Sequence, residues 1–168
     1  TDTAEGCKAK YKLNNGCLEL ILDEDTPEYA CYTSMKVSSI QTYEKNGLHP
    51  GATQMREVEP FNGFSCKYGY FEMRAKLPDI KEGGHIAWWL IGTQDDALPD
   101  GSGSVQTGEI DILENLFESI NTFSPKVHPW TDSKIKSFRK DIEMHGNYSE
   151  AFHIYSMDWT PKGIKFYI

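Results

Sequence analysis

The stretch "TGEIDILENL" at residues 107–116 sets three carboxylates, Glu109, Asp111 and Glu114, into a run that is otherwise Ile, Ile, Leu and Leu. Carboxyl groups in close company do acid, base and nucleophilic work, because like charges drive their pKa values apart and leave one ionised while another keeps its proton. Retaining glycoside hydrolysis needs two of them at roughly 5 to 5.5 Å, one as nucleophile and one as acid/base. Whether these three can meet depends on local structure. In a regular strand Glu109 and Asp111 share a face and Glu114 falls on the opposite one, in the core, because side chains alternate with period two. One extra residue between Asp111 and Glu114, a β-bulge, returns Glu114 to its companions. In a helix, Ile110, Leu113, Leu116, Phe117 and Ile120 form an apolar face, the acidic residues point outward, and Thr107 is a candidate N-cap. Periodicity alone does not separate strand from helix.

The surrounding elements favour strands. Short apolar runs are punctuated by turn signals such as "NNG", "PDG" and "SG", the pattern of an all-β chain. In "YGYFEMRAKLP", Phe71, Met73, Ala75 and Leu77 alternate with Tyr70, Glu72, Arg74 and Lys76, which gives one core face and one wet face. "GGHIAWWLIG" is apolar on both faces apart from His85 and reads as a central strand, with Trp89 on the His85 side and Trp88 toward the core. The Gly-rich "PDGSGSVQTG" reads as a hairpin loop leading into the acidic stretch, and "FHIYSMDWTPKGIKFYI" as a hairpin around "TPKG". Residues 42–63 carry the least pattern and read as a long loop or insertion of the kind that borders a binding site.

At 168 residues the chain suits one domain, 1–168, able to bury roughly two thirds of its unfolded surface without a metal or disulfide staple. A net charge of -8 repels phosphates, so nucleic acid and anionic membrane are poor partners and neutral ones fit better. No apolar run reaches the roughly 20 residues that span a bilayer. Cys7, Cys17, Cys31 and Cys66 contain no C-x-x-C pair, which argues against zinc; three disulfide pairings are formally open and thiols are expected. "NYS" at residues 147–149 fits a glycosylation acceptor but recurs by chance. The opening "TDTAEG" suggests a mature or trimmed form, and the apolar strand ending at Ile168 suggests that further strands are missing.

With these residues in place, the chain resembles the family 16 glycoside hydrolases, a group of laminarinases, agarases, carrageenases and endo-β-galactosidases. "GEIDILE" matches their E-x-D-x-x-E signature, and "YGYFEMRAKLP", "AWWLIG", "VHPW" and "FHIYSMDWTPKGIKFY" resemble their strands in the same order. The resemblance covers most of residues 68–167. It implies a β-sandwich (jelly roll) of two curved antiparallel sheets with a concave cleft for a polysaccharide or oligosaccharide. It also implies Glu109 as nucleophile, Glu114 as general acid/base and Asp111 between them, hydrogen-bonded to Glu109. The expected activity is that of an endo-acting retaining β-glycanase, secreted or at the cell surface, monomeric and without a required cofactor or metal. A structural calcium ion is compatible with this but marked by no residue pattern.

Around the carboxylates, Trp89 is expected to stack under a sugar ring, against the rival reading of a core Trp. His85 shares its face. Arg74 is a candidate for sugar hydroxyls or an acidic substituent, against a plain surface Arg. His128 and Trp130 of "VHPW" fall where the family has a His near the acid/base and an aromatic toward the leaving group. His153, Tyr155 and Trp159 read as structural. Laminarinases read W-P-A-x-W where this chain has "HIAWW", and Ser104 replaces a Trp five residues before the nucleophile. Two sugar platforms are therefore changed, which brings β-galactans level with β-1,3/1,4-glucans as expected substrates. A non-catalytic carbohydrate-binding sandwich and a transglycosylase are the alternatives.

Overall fold

A computed structural model of the chain describes residues 10–26, 36–44, 61–79, 84–97, 104–106, 108–116, 121–130, 136–146 and 148–168. Contacts divide the chain into two compact units, Thr1–Ser65 and Cys66–Ile168. Among the described residues every regular element is a strand.

In the first unit, β1 (Tyr11–Asn14) and β2 (Cys17–Leu20) form a hairpin. Its two-residue loop has Asn15 at φ 49° and Gly16 at φ 75°. Both central residues of a type I′ turn need positive φ, and Asn-Gly supplies it at least cost. β3 (Tyr43–Glu44) pairs with β4 (Phe61–Asn62). The expected long loop is thus closed at its two ends by a short ladder, and residues 45–60 lie outside the described part.

The second unit holds two antiparallel sheets. One has the order β15 (Gly163–Tyr167), β14 (His153–Thr160), β5 (Gly69–Ala75). The "TPKG" turn joins β14 to β15, with Thr160 opposite Gly163. The other has the order β12 (Phe138–Arg139), β11 (Lys126–His128), β9 (Glu109–Leu116), β6 (His85–Ile91). Among the described residues β6 ends this sheet instead of lying inside it. Between β6 and β9, β7 (Asp95–Ala97) pairs with β8 (Ser104–Gln106), the hairpin expected of the Gly-rich segment. A further short pair joins β10 (Thr122–Phe123) to β13 (Ile142–Glu143).

The two sheets pack through their apolar faces. Ile110 and Ile112 of β9 meet Met157 of β14, with Phe71, Trp88, Leu90, Val127, Ile164 and Phe166 around them. A second cluster joins Leu113, Leu77, Phe123, Met144, Tyr148 and Tyr155. Alternation explains which side chains take part: Phe71, Met73 and Ala75 turn inward from β5 while Tyr70, Glu72 and Arg74 turn out. Trp88 packs against both clusters, as its place in "HIAWW" predicts. Tyr155 is fully buried, and burial with help from Tyr148 pushes its phenol up to about 12, consistent with a structural role. His153 lies against Tyr148 with ring centroids 4.3 Å apart and planes tilted by 37°. Cys17 and Cys66 are free thiols; Cys7, Cys31 and Asn147 lie outside the described residues.

Candidate active site

The acidic stretch is strand, and the helical reading is overturned. Along β9, Glu109 faces Ile91, Ile110 faces Leu90 and Asp111 faces Trp89, but Leu113, not Ile112, faces Trp88, and Glu114 faces Ala87. Ile112 is the extra residue of a β-bulge at the position the two-then-three spacing requires. Ile112 and Leu113 consequently both point into the core, each at 0% exposure. Glu114 returns to the face that carries Glu109 and Asp111.

The neighbouring strands furnish that face by register. β6 contributes His85, Ala87, Trp89 and Ile91, the partners of Leu116, Glu114, Asp111 and Glu109. β11 contributes Lys126 opposite Asp111 and His128 opposite Glu109, while Val127, opposite Ile110, joins the core. Arg139 of β12 lies opposite Lys126.

Each carboxylate has specific partners. Trp130 Nε1 donates to Glu109 Oε2 at 3.3 Å. The Trp130 ring stacks on His128 with centroids 4.9 Å apart and planes 15° from parallel. Trp130 also adopts φ 39°, a left-handed conformation that costs a non-glycine residue on the order of 1 to 3 kcal/mol, so the stack and the hydrogen bond offset local strain. Asp111 is 3% exposed, shares a side-chain hydrogen bond with Glu109, and has its Oδ2 3.4 Å from His128 Nε2. Burial first, and then the charges of Glu109 and Glu114, push the Asp111 carboxyl up to about 7, against the opposing charge of Lys126. Glu114 is held at both oxygens: His85 Nε2 lies 3.0 Å from Oε1, and Lys126 Nζ forms an ion pair with Oε2. Glu109, Asp111 and His128 also present ligand atoms within 4.8 Å of one another. The contacts just described account for that convergence, so it does not by itself make a metal site.

Of the expected site residues, the three acidic groups, His85, Trp89, His128 and Trp130 share one face of one sheet. Trp89 is 39% and Trp130 52% exposed, accessible aromatic surface beside the carboxylates. Arg74 is not brought to them. It lies on the outward face of the other sheet, its guanidinium 4.2 Å from the Phe152 ring centroid. Lys126 escapes notice in the sequence because a lysine in "SPKVHPW" looks like a surface residue. The available signal was its separation of two from His128, which puts both on one strand face.

The sequence pattern described as Glycosyl hydrolases family 16 matches residues 59–168. Among solved structures, the GlcNAcα1-4Gal-releasing endo-β-galactosidase of Clostridium perfringens superposes with a TM-score of 0.80 at 34% identity, over 96% of this chain and 42% of its own. The endo-1,3-1,4-beta-glycanase ExsH of Rhizobium meliloti is 34% identical over 64% of this chain and 20% of its own length. EglC, an endo-1,3-1,4-beta-glycanase of the same organism, is 31% identical over 64% of the chain and again 20% of its own length. The chain thus spans about a fifth of these relatives. With the acidic signature on a bulged strand of a two-sheet sandwich and the family pattern running from residue 59 to 168, the chain belongs to glycosyl hydrolase family 16.

Proposed function

We propose that the chain carries the catalytic centre of an endo-acting β-glycanase that works with retention of configuration. The observation that supports this most is the bulge at Ile112, which sets Glu109, Asp111 and Glu114 on one face beside accessible Trp89 and Trp130. Glu109 attacks the anomeric carbon while Glu114 gives a proton to the departing glycosidic oxygen, and a covalent glycosyl-enzyme forms. Glu114, now ionised, takes a proton from water, whose oxygen attacks the same carbon and frees Glu109. An acceptor sugar in place of that water gives transglycosylation. Asp111 is protonated below about pH 7 and can donate to the Glu109 carboxylate, which keeps the negative charge on the nucleophile. The Trp130 N–H holds the other side of that carboxylate. The stabilising role of Asp111 is therefore a hydrogen bond more than a charge.

The likeness to an endo-β-galactosidase over 96% of the chain favours an internal β-galactosidic bond as the target. Relatives named endo-1,3-1,4-beta-glycanases favour a β-glucan as the second reading. Either polymer is extracellular material, which suits a secreted or cell-surface protein acting as a monomer, with 1–168 as one part of the catalytic domain. The test is a product profile on keratan-type and mucin-type glycans, agarose, laminarin and lichenan, with proton NMR of the first-formed reducing ends. Retained anomers from a galactan, abolished by Glu109→Gln, are expected. Inverted product, or full activity in Glu109→Gln, would overturn the mechanism, and laminarin as the preferred substrate would overturn the galactoside reading.

A further inference from the structure

The site contains a cation that the two-step scheme does not use. Lys126 is 5% exposed, and a lysine is almost never buried so deeply unless its charge is paired. Its Nζ meets Glu114 Oε2. Asp111 stands opposite it in register on β9, and Asp141, just past β12, also feels its charge. Arg139, the cation beside it on β12, engages Asp141 instead, with Nε 3.0 Å from Oδ1. His128 on its own strand turns to Asp111. Glu114 is thus held asymmetrically: Oε2 by a buried lysine from β11, and Oε1 by His85 from β6, whose side chain is 47% exposed.

We infer that Lys126 is a positioning residue for Glu114: it anchors Oε2 so that Oε1 is the oxygen that exchanges the proton with the leaving group and then with water. This rests on the reading of Glu114 as acid/base. A glutamate has three side-chain torsions, and a group that must serve both half-reactions has to present one oxygen at the same place twice. The buried Lys126 ammonium fixes those torsions in both states, as the ion partner of the ionised base and, with the carboxyl proton on Oε1, as a hydrogen-bond donor to Oε2 of the acid, whereas the exposed His85 can give way when a glycosidic oxygen arrives at Oε1. Lys126 itself is buried, which keeps its ammonium from serving the polymer directly.

The test compares Lys126→Met and Lys126→Arg with the native chain on two substrates, the polymer and a dinitrophenyl glycoside of the same sugar, whose leaving group departs without a proton. Positioned general acids contribute about 10²- to 10⁴-fold. Lys126→Met should therefore lose about 100-fold in kcat on the polymer with KM within about twofold, yet less than about tenfold in forming the glycosyl-enzyme from the dinitrophenyl glycoside. Lys126→Arg, which keeps the ion pair, should recover about tenfold of that loss. Equal losses on both substrates, or native turnover of the polymer by Lys126→Met, overturn the inference. Should Lys126→Met melt below the assay temperature, Lys126→Gln carries the same comparison. Glu114→Gln separates the two ideas: if it shows the leaving-group dependence and Lys126→Met does not, only the role of Lys126 fails. If Glu114→Gln shows none, or the native chain turns over neither substrate, the acid/base reading fails and this inference with it.

Discussion

Ile112 and Leu113 are consecutive residues of one β-strand, and both are fully buried on the same side of it. A regular strand would send one of them outward. Their shared burial is the core's view of the bulge, and Glu114 on the opposite face is its consequence. Deleting Ile112 leaves Glu109, Ile110, Asp111, Leu113 and Glu114 in plain alternation against β6, so Glu114 keeps its place opposite Ala87 on the carboxylate face while the core loses one side chain and the strand its bend. The deletion is expected to lower stability by about 2 to 5 kcal/mol, the cost of a lost core side chain, and to reduce turnover without abolishing it, because the straightened strand changes the spacing of the carboxylates but not their face. Ile112→Val, which keeps the residue count, should cost about 0.5 to 1.5 kcal/mol and retain activity. Denaturant melts and turnover assays on both variants check this, and a deletion mutant as stable as the native chain would be fatal to it.

Asp111 makes stability depend on pH. Its carboxyl is raised from 3.8 to about 7 in the folded chain, so the folded state favours the protonated form. That contribution is complete below about pH 4 and disappears as pH rises through about 7. Asp111→Asn is neutral throughout. The melting temperature of the native chain relative to Asp111→Asn should fall between pH 4 and 7 and level off above. Scanning calorimetry across that window checks the sign; a difference that stays constant would refute it.

Trp89 faces Asp111 across β6 and β9 and presents an open ring. If a sugar stacks there, Trp89→Ala removes an interaction worth about 0.5 to 1.5 kcal/mol, so KM for the polymer should rise about two- to tenfold with kcat little changed. Steady-state kinetics on polymer and oligosaccharide show whether the loss is in binding. A drop in kcat alone would point to a structural Trp instead.

Arg74 is the contrasting case. Its cation–π contact with Phe152 lies on the outer face of the sheet that carries no carboxylate cluster. Arg74→Ala should leave kcat and KM within about twofold and cost under about 1 kcal/mol of stability. A selective rise in KM would place substrate on that face.

Alternation along a strand is a local property, so the sequence by itself determined the inward and outward faces of "YGYFEMRAKLP", the "TPKG" hairpin, and a spacing of carboxylates that only a bulge could reconcile with an apolar core. It also carried the family, through short motifs in a particular order. Whether residues 107–116 formed helix or strand was undetermined locally, because Ile110, Leu113 and Leu116 keep helical spacing while Glu109 and Asp111 alternate with Ile110 and Ile112 as in a strand. Pairing with β6 decided it: the ladder Ile91 to His85 accepts eight residues of β9 against seven of its own, and Ile112 is the surplus. Tertiary structure alone decided the partners of each charge. Lys126 and His85, distant in sequence from Glu114, meet it because β11 and β6 flank β9, and Arg74 is excluded because β5 belongs to the other sheet. Side-chain type tells what a residue can do, but strand order sets which residues share a face and how far from water they lie, and through these the ionisation of Asp111 and the anchoring of Glu114.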